Sequence, residues 1–160
     1  LYPNQYVNFT PDSQASKLAL SHLSDDATEQ ESIDFVFQYV TSHITYDDEK
    51  AATVDTGYLP DVDKTLSLGK GICFDYAALM TAMLRSRDIP CKLQIGYAGD
   101  IKHAWIDVYI RGKGWVEHAI TYDGEKWNRM DPTFTANSED EELINSYIGD
   151  SKNYTLQFTR

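Results

Sequence analysis

The chain has 160 residues, 42% apolar and 12% aromatic, which supports one domain with a real core and is too short for two comfortable ones. Its 14 Lys and Arg stand against 25 Asp and Glu, a formal net charge of −11 that argues against nucleic acid and against an anionic membrane surface. No run of about 18 apolar residues occurs, so no membrane insertion is expected. The two cysteines, Cys73 and Cys91, are too few for a disulfide scaffold.

Along the chain, residues 1–11 read as an extended lead-in, and helical spacing begins near Ser13. A stronger helix is expected over 28–43, where Ile33, Val36, Phe37, Val40 and Ile44 keep the rhythm of one buried face behind a run of cap residues. From Asp47 to Gly71 the rhythm breaks into a long connecting region with short helical pieces at most, the kind of segment that often serves function. "GKGICFDYAALM", 69–80, then runs from a glycine-flanked loop into a helix with Tyr76, Leu79, Met80 and Met83 on one apolar face. "DIPCKLQIGYAG" turns into a strand. "HAWIDVYI" alternates His103, Trp105, Asp107 and Tyr109 against Ala104, Ile106, Val108 and Ile110. "RGKG" turns into "WVEHAITY", and Asp123-Gly124 signals a hairpin before "KWNRM". The tail adds a short helix near 139–148 and a final strand, "YTLQF". Helices followed by antiparallel strands make residues 1–160 a single α+β domain.

The chemistry centres on Cys73. A helix N-terminus stabilises a thiolate through its free N–H groups, and a nearby imidazolium does so more strongly. His103 opens the most regular strand, a rigid mount for a general base. A histidine so used needs an acceptor on its other nitrogen, and Asp131 in "RMDPTF" sits at the end of what reads as the adjacent strand. Singly, each residue has a plainer role: a small buried hydrophobe, a strand residue, a turn former before proline. Asp107, Glu117 or a tyrosine are alternative partners for His103. An acyl transfer also needs oxyanion donors. The Cys73 backbone N–H is the natural first, Tyr58 in "TGYLP" is a candidate second, and Trp105 a candidate wall beside His103. Cys91 reads as structural. His22, His43 and His118 show no ligand spacing with the cysteines, and the acidic run at 138–142 lacks the pattern of a calcium loop, so neither metal nor cofactor is expected. Two Asn-x-Thr sequons, at Asn8 and Asn153, read as chance.

"GKGICFDYAALMTAMLRSRDIPCKLQIGY", "HAWIDVYI" and "WNRMDPTF" in that order resemble the transglutaminase-like superfamily, the papain-like group of transglutaminases, peptide N-glycanases and bacterial relatives. The resemblance covers roughly 44–135. It implies a papain-like core with the cysteine at a central helix N-terminus on an antiparallel sheet, and a Cys-His-Asp triad carried onto Cys73, His103 and Asp131. "GKGWVEHAITYDGEKW" departs from simpler relatives as an extra hairpin between the last two blocks. The implied reaction is attack of the thiolate on a carboxamide or peptide carbonyl to give a thioester acyl-enzyme. Its substrates would be a protein glutamine or a peptide amide, with a primary amine as co-substrate. Proteolysis or amide hydrolysis is the alternative, and a binding module that kept the fold without activity is a second. A thiol redox protein using Cys73 and Cys91 ranks last, for want of Cys-x-x-Cys spacing. Resemblance to bacterial relatives and a first residue that is not methionine suggest a trimmed, exported or cell-surface domain.

Overall fold

A computed structural model describes residues 1–98, 101–122, 126–129 and 154–159, with the backbone alone at 97–98, 101–103 and 154–159. The first helices are α1 (Gln14–Ser21) and α2 (Glu29–His43). α2 begins where its sequence provides a reciprocal cap: the Thr28 hydroxyl accepts from the Glu31 N–H at 3.1 Å, and the Glu31 carboxylate accepts from the Thr28 N–H at 2.8 Å. Ile33, Val36 and Val40 are buried on its inner face. Thr28→Ala is expected to lower stability by about 1 kcal/mol, read as a lower urea midpoint at unchanged slope.

The connecting region contains β1 (Thr45–Tyr46), α3 (Asp48–Thr53), α4 (Val62–Leu68) and β2 (Lys70–Gly71). Each short helix is started by an aspartate. Asp47 accepts from the Lys50 N–H, and Asp61 from the Lys64 N–H, both at 3.0 Å. α4 stops at Gly69, whose φ of +67° is the left-handed cap that glycine adopts without strain. β1 and β2 then pair in parallel, Thr45 with Lys70 and Tyr46 with Gly71. The chain's excursion from 47 to 69 therefore starts and ends at one point.

α5 (Cys73–Ser86) follows directly. One apolar face was expected of it; instead every residue from Cys73 to Arg85 is buried. The cause is its position, with α1, α2 and α4 on one side and the sheet on the other. Ala77, Ala78 and Ala82 let these neighbours approach closely.

The sheet has the order β6-β5-β4-β3-β7 and is antiparallel throughout, with β3 at Cys91–Ala98, β4 at Ile101–Ile110, β5 at Gly114–Tyr122, β6 at Trp127–Arg129 and β7 at Tyr154–Thr159. Leu93 and Ile95 of β3 pair with Ile106 and Ala104 of β4, and all four join the core that contains α5. The β4–β5 ladder slips between Ile106 and Val108. There His118 takes a φ of 54° and donates its N–H to Asp107 at 2.9 Å. β6 pairs with β5 rather than β4, so the strand leading toward Asp131 is next but one to that of His103, not adjacent as its sequence position suggests. The intervening "WVEHAITY" segment occupies the adjacent place. The Asp123-Gly124 turn and the 139–148 helix lie outside the described residues. Among the described residues no helix is long and apolar enough to cross a membrane.

Candidate active site

Cys73 is the first residue of α5, follows an extended Ile72, and is 3% exposed. It therefore stands where the N–H groups of a helix have no partner within the helix itself. Neither cysteine is in a disulfide. Cys91 sits against the Thr81 carbonyl (3.7 Å), eight residues along α5 from Cys73, or about 12 Å of helix at 1.5 Å per residue. That separation is too long for a disulfide without backbone movement. Burial pushes the Cys91 thiol up to about 11, which makes it unreactive near neutral pH.

The parallel β1–β2 pair brings Tyr46 beside Cys73. Burial pushes the Tyr46 phenol up, and hydrogen bonds with the Tyr122 hydroxyl and the Cys73 backbone pull against it. Its ring stacks on Tyr122 at 5.5 Å, Tyr122 meets Trp127 at 5.3 Å, and Trp127 stacks on Tyr76 at 5.4 Å. The Tyr76 hydroxyl donates to the Ile44 carbonyl at 2.6 Å, fixing α5 to the end of α2, and burial pushes that phenol up to about 12. The Trp127 indole N–H is buried in this aromatic wall with no hydrogen-bond partner among the described residues.

His103 lies in β4 with its backbone paired to Gly96, one residue before Ala104. Ala104 in turn pairs with Tyr122, so the His103 backbone adjoins the wall that flanks Cys73. The β3–β7 ladder slips between Ile95 and Gly96, leaving β3 irregular beside His103. β6 ends at Arg129, two residues before Asp131, which lies outside the described residues.

Most of the other candidates have partners of their own. The Tyr58 hydroxyl donates to Asp75, and burial followed by that carboxylate pushes its phenol far up. Trp105 is buried and stacks on His118 at 5.2 Å. Asp107 accepts from the Gln94 amide and the His118 N–H; burial pushes its carboxyl up and lowers the His118 imidazole. Glu117 is exposed. Sequence reasoning missed Tyr46, Lys50 and Asp75. For Tyr46 the available signal was "ITY", a short β-favouring run directly after a helix.

A helical layer covering a five-stranded antiparallel sheet, with a cysteine at the start of the central helix, defines a papain-like α+β fold. Two solved structures share it. One is a candidate cysteine protease from Cytophaga hutchinsonii, with a TM-score of 0.52 and 17% identity over 99% of this chain and 52% of that one. The other is a candidate protease from Parabacteroides distasonis, with a TM-score of 0.50 and 18% identity over 66% of this chain and 24% of that one. The chain thus spans about half and about a quarter of their lengths. No curated protein matches it in sequence. The transglutaminase-like superfamily model matches residues 16–132, and the chain belongs to that superfamily.

Proposed function

We propose that the protein is a cysteine-dependent acyltransferase acting on a protein glutamine or similar carboxamide. The observation that carries this reading is Cys73 itself, the first residue of a buried helix with the Tyr46 hydroxyl at its backbone. In this mechanism His103 takes the thiol proton, and the sulfur attacks the carboxamide carbon to form a C–S bond. Collapse of the tetrahedral adduct breaks the C–N bond, and His103 returns the proton to the departing ammonia. Asp131 orients the imidazole. A primary amine then attacks the thioester, His103 removes its proton, and the thiol is regenerated; water in its place gives deamidation. The Cys73 N–H and the Tyr46 hydroxyl, bonded to each other here, are the donors we assign to an oxyanion that comes between them, whereas the Tyr58 hydroxyl is held by the buried Asp75 carboxylate.

Peptide-bond hydrolysis is the second reading, favoured by the family's chemistry and by the names of the two structural relatives. A glutamine peptide offered with a primary amine separates the two: conjugate and free ammonia support transamidation, and backbone cleavage supports proteolysis.

The prior question is whether Cys73 is activated at all. Iodoacetamide at about pH 6 is expected to modify Cys73 at least about tenfold faster than Cys91, with the preference lost in His103→Ala. Peptide mapping by mass spectrometry reads the outcome. A Cys73 that reacts only above about pH 8, indifferent to His103, leaves a binding module on this fold.

A further inference from the structure

Asp75 is the third residue of α5 and its side chain is fully buried. Asp75 stands two residues beyond Cys73 on the first turn of α5, and an uncompensated negative charge there opposes ionisation of the sulfur. Its surroundings answer that problem. One oxygen accepts from Lys50 Nζ at 2.7 Å and from the Ile72 N–H at 2.9 Å, and the other accepts from the Tyr58 hydroxyl. Lys50 also donates to the Tyr58 oxygen at 2.5 Å and lies 4.3 Å from the centre of its ring. Three segments thus meet on one carboxylate: α3, the connection before α4, and the residue preceding Cys73.

Resting on Cys73 as nucleophile, we infer that Lys50 and Asp75 form a charge-compensating pair that positions Cys73 for ionisation. Asp75 fastens the junction between loop and helix through the Ile72 N–H. Lys50 cancels the field that the carboxylate would otherwise exert on the sulfur. The neighbouring groups do not replace it. Tyr46 of β1, Tyr122 of β5 and Tyr76 of α5 are phenols. Asp47 and Asp48, at the start of α3, and Asp61 are acidic, and Asp47 is itself paired with Lys70 at 3.5 Å. Among the described residues Lys50 is the cation held in contact with Asp75. His103 and Asp131 complete the charges of the proposed site.

A merely structural pair and an electrostatic one predict different signs. Loosening the junction from either side would impair Cys73 in the same sense. Charge compensation makes the two substitutions oppose each other, because one removes a positive and the other a negative charge. The test is the pH profile of Cys73 carbamidomethylation in wild type, Lys50→Met, Asp75→Asn and the double variant. The midpoint is expected to rise by about half a unit or more in Lys50→Met, to fall in Asp75→Asn, and to return near wild type in the double variant. Shifts of the same sign, or none, overturn the pair. Should Lys50→Met fail to fold, Lys50→Arg and Lys50→Gln repeat the comparison: arginine is expected to keep the wild-type midpoint and glutamine to raise it, and equal midpoints overturn the inference. The two readings fail separately. A wild-type midpoint at the ordinary value of about 8.5 removes the nucleophile, while opposed shifts would still report the pair.

Discussion

Cys73→Ala is expected to reduce conjugation of an amine to a glutamine peptide by at least about 10³-fold, at unchanged cooperative unfolding. The argument is one of chemistry rather than packing. The thiol is the group that forms the acyl bond, and alanine keeps the helix start intact while deleting only the sulfur. The loss of one buried sulfur costs stability on the scale of a small core truncation, about 1 kcal/mol. Cys91→Ala is the control, because that thiol is packed against Thr81 on the third turn of α5 and held protonated. Ammonia release and conjugate yield, measured on all three proteins, decide the matter. A Cys73→Ala protein retaining activity within about tenfold of wild type would remove Cys73 from the mechanism.

Gly71→Ala is expected to destabilise the fold by about 1–3 kcal/mol, the usual range for overpacking a site that cannot relax. A Cβ at this position would lie 2.7 Å from the Asp75 Cβ and 3.0 Å from its carboxylate oxygen. Asp75 cannot retreat, because Lys50, Tyr58 and the Ile72 N–H hold it from three directions. Relief would have to come from the parallel pairing of Tyr46 with Gly71, which sets Tyr46 beside Cys73. The same substitution at Gly57, where a Cβ meets nothing within 4 Å, is expected to be nearly silent. Urea unfolding of the two variants checks this contrast, and equal midpoints would refute it.

The parts of this fold that sequence exposes are those built from local repetition. α2 was legible because apolar spacing and a reciprocal Thr28–Glu31 cap coincide. β4 was legible because Ala104, Ile106, Val108 and Ile110 alternate toward the core. Cys73 at a helix start was legible from the glycines before it and the apolar run after it. What escaped depends on contacts between distant short segments. The β1–β2 ladder has two residues per strand, too few for any periodicity, yet it carries Tyr46 to Cys73. Lys50 and Asp75 are 25 positions apart and look individually like surface charges. The order of β5 and β6 escaped as well, because a hairpin inserted between two recognisable blocks leaves both blocks unchanged in sequence.

On the proposed mechanism, the burial of α5 from Cys73 to Arg85 bears on how a substrate reaches the sulfur. Proteins open in cooperative units, and the cheapest openings belong to segments with few buried contacts. α5 has none of that character: α1, α2, α4, β3 and β4 all press on it, and thirteen consecutive residues from Cys73 to Arg85 are shielded from solvent. Melting α5 as a whole would dismantle the core it shares with those elements. Cys73 thus stands on a firmly packed helix, and on the proposed mechanism access to the sulfur is set by the segments around it.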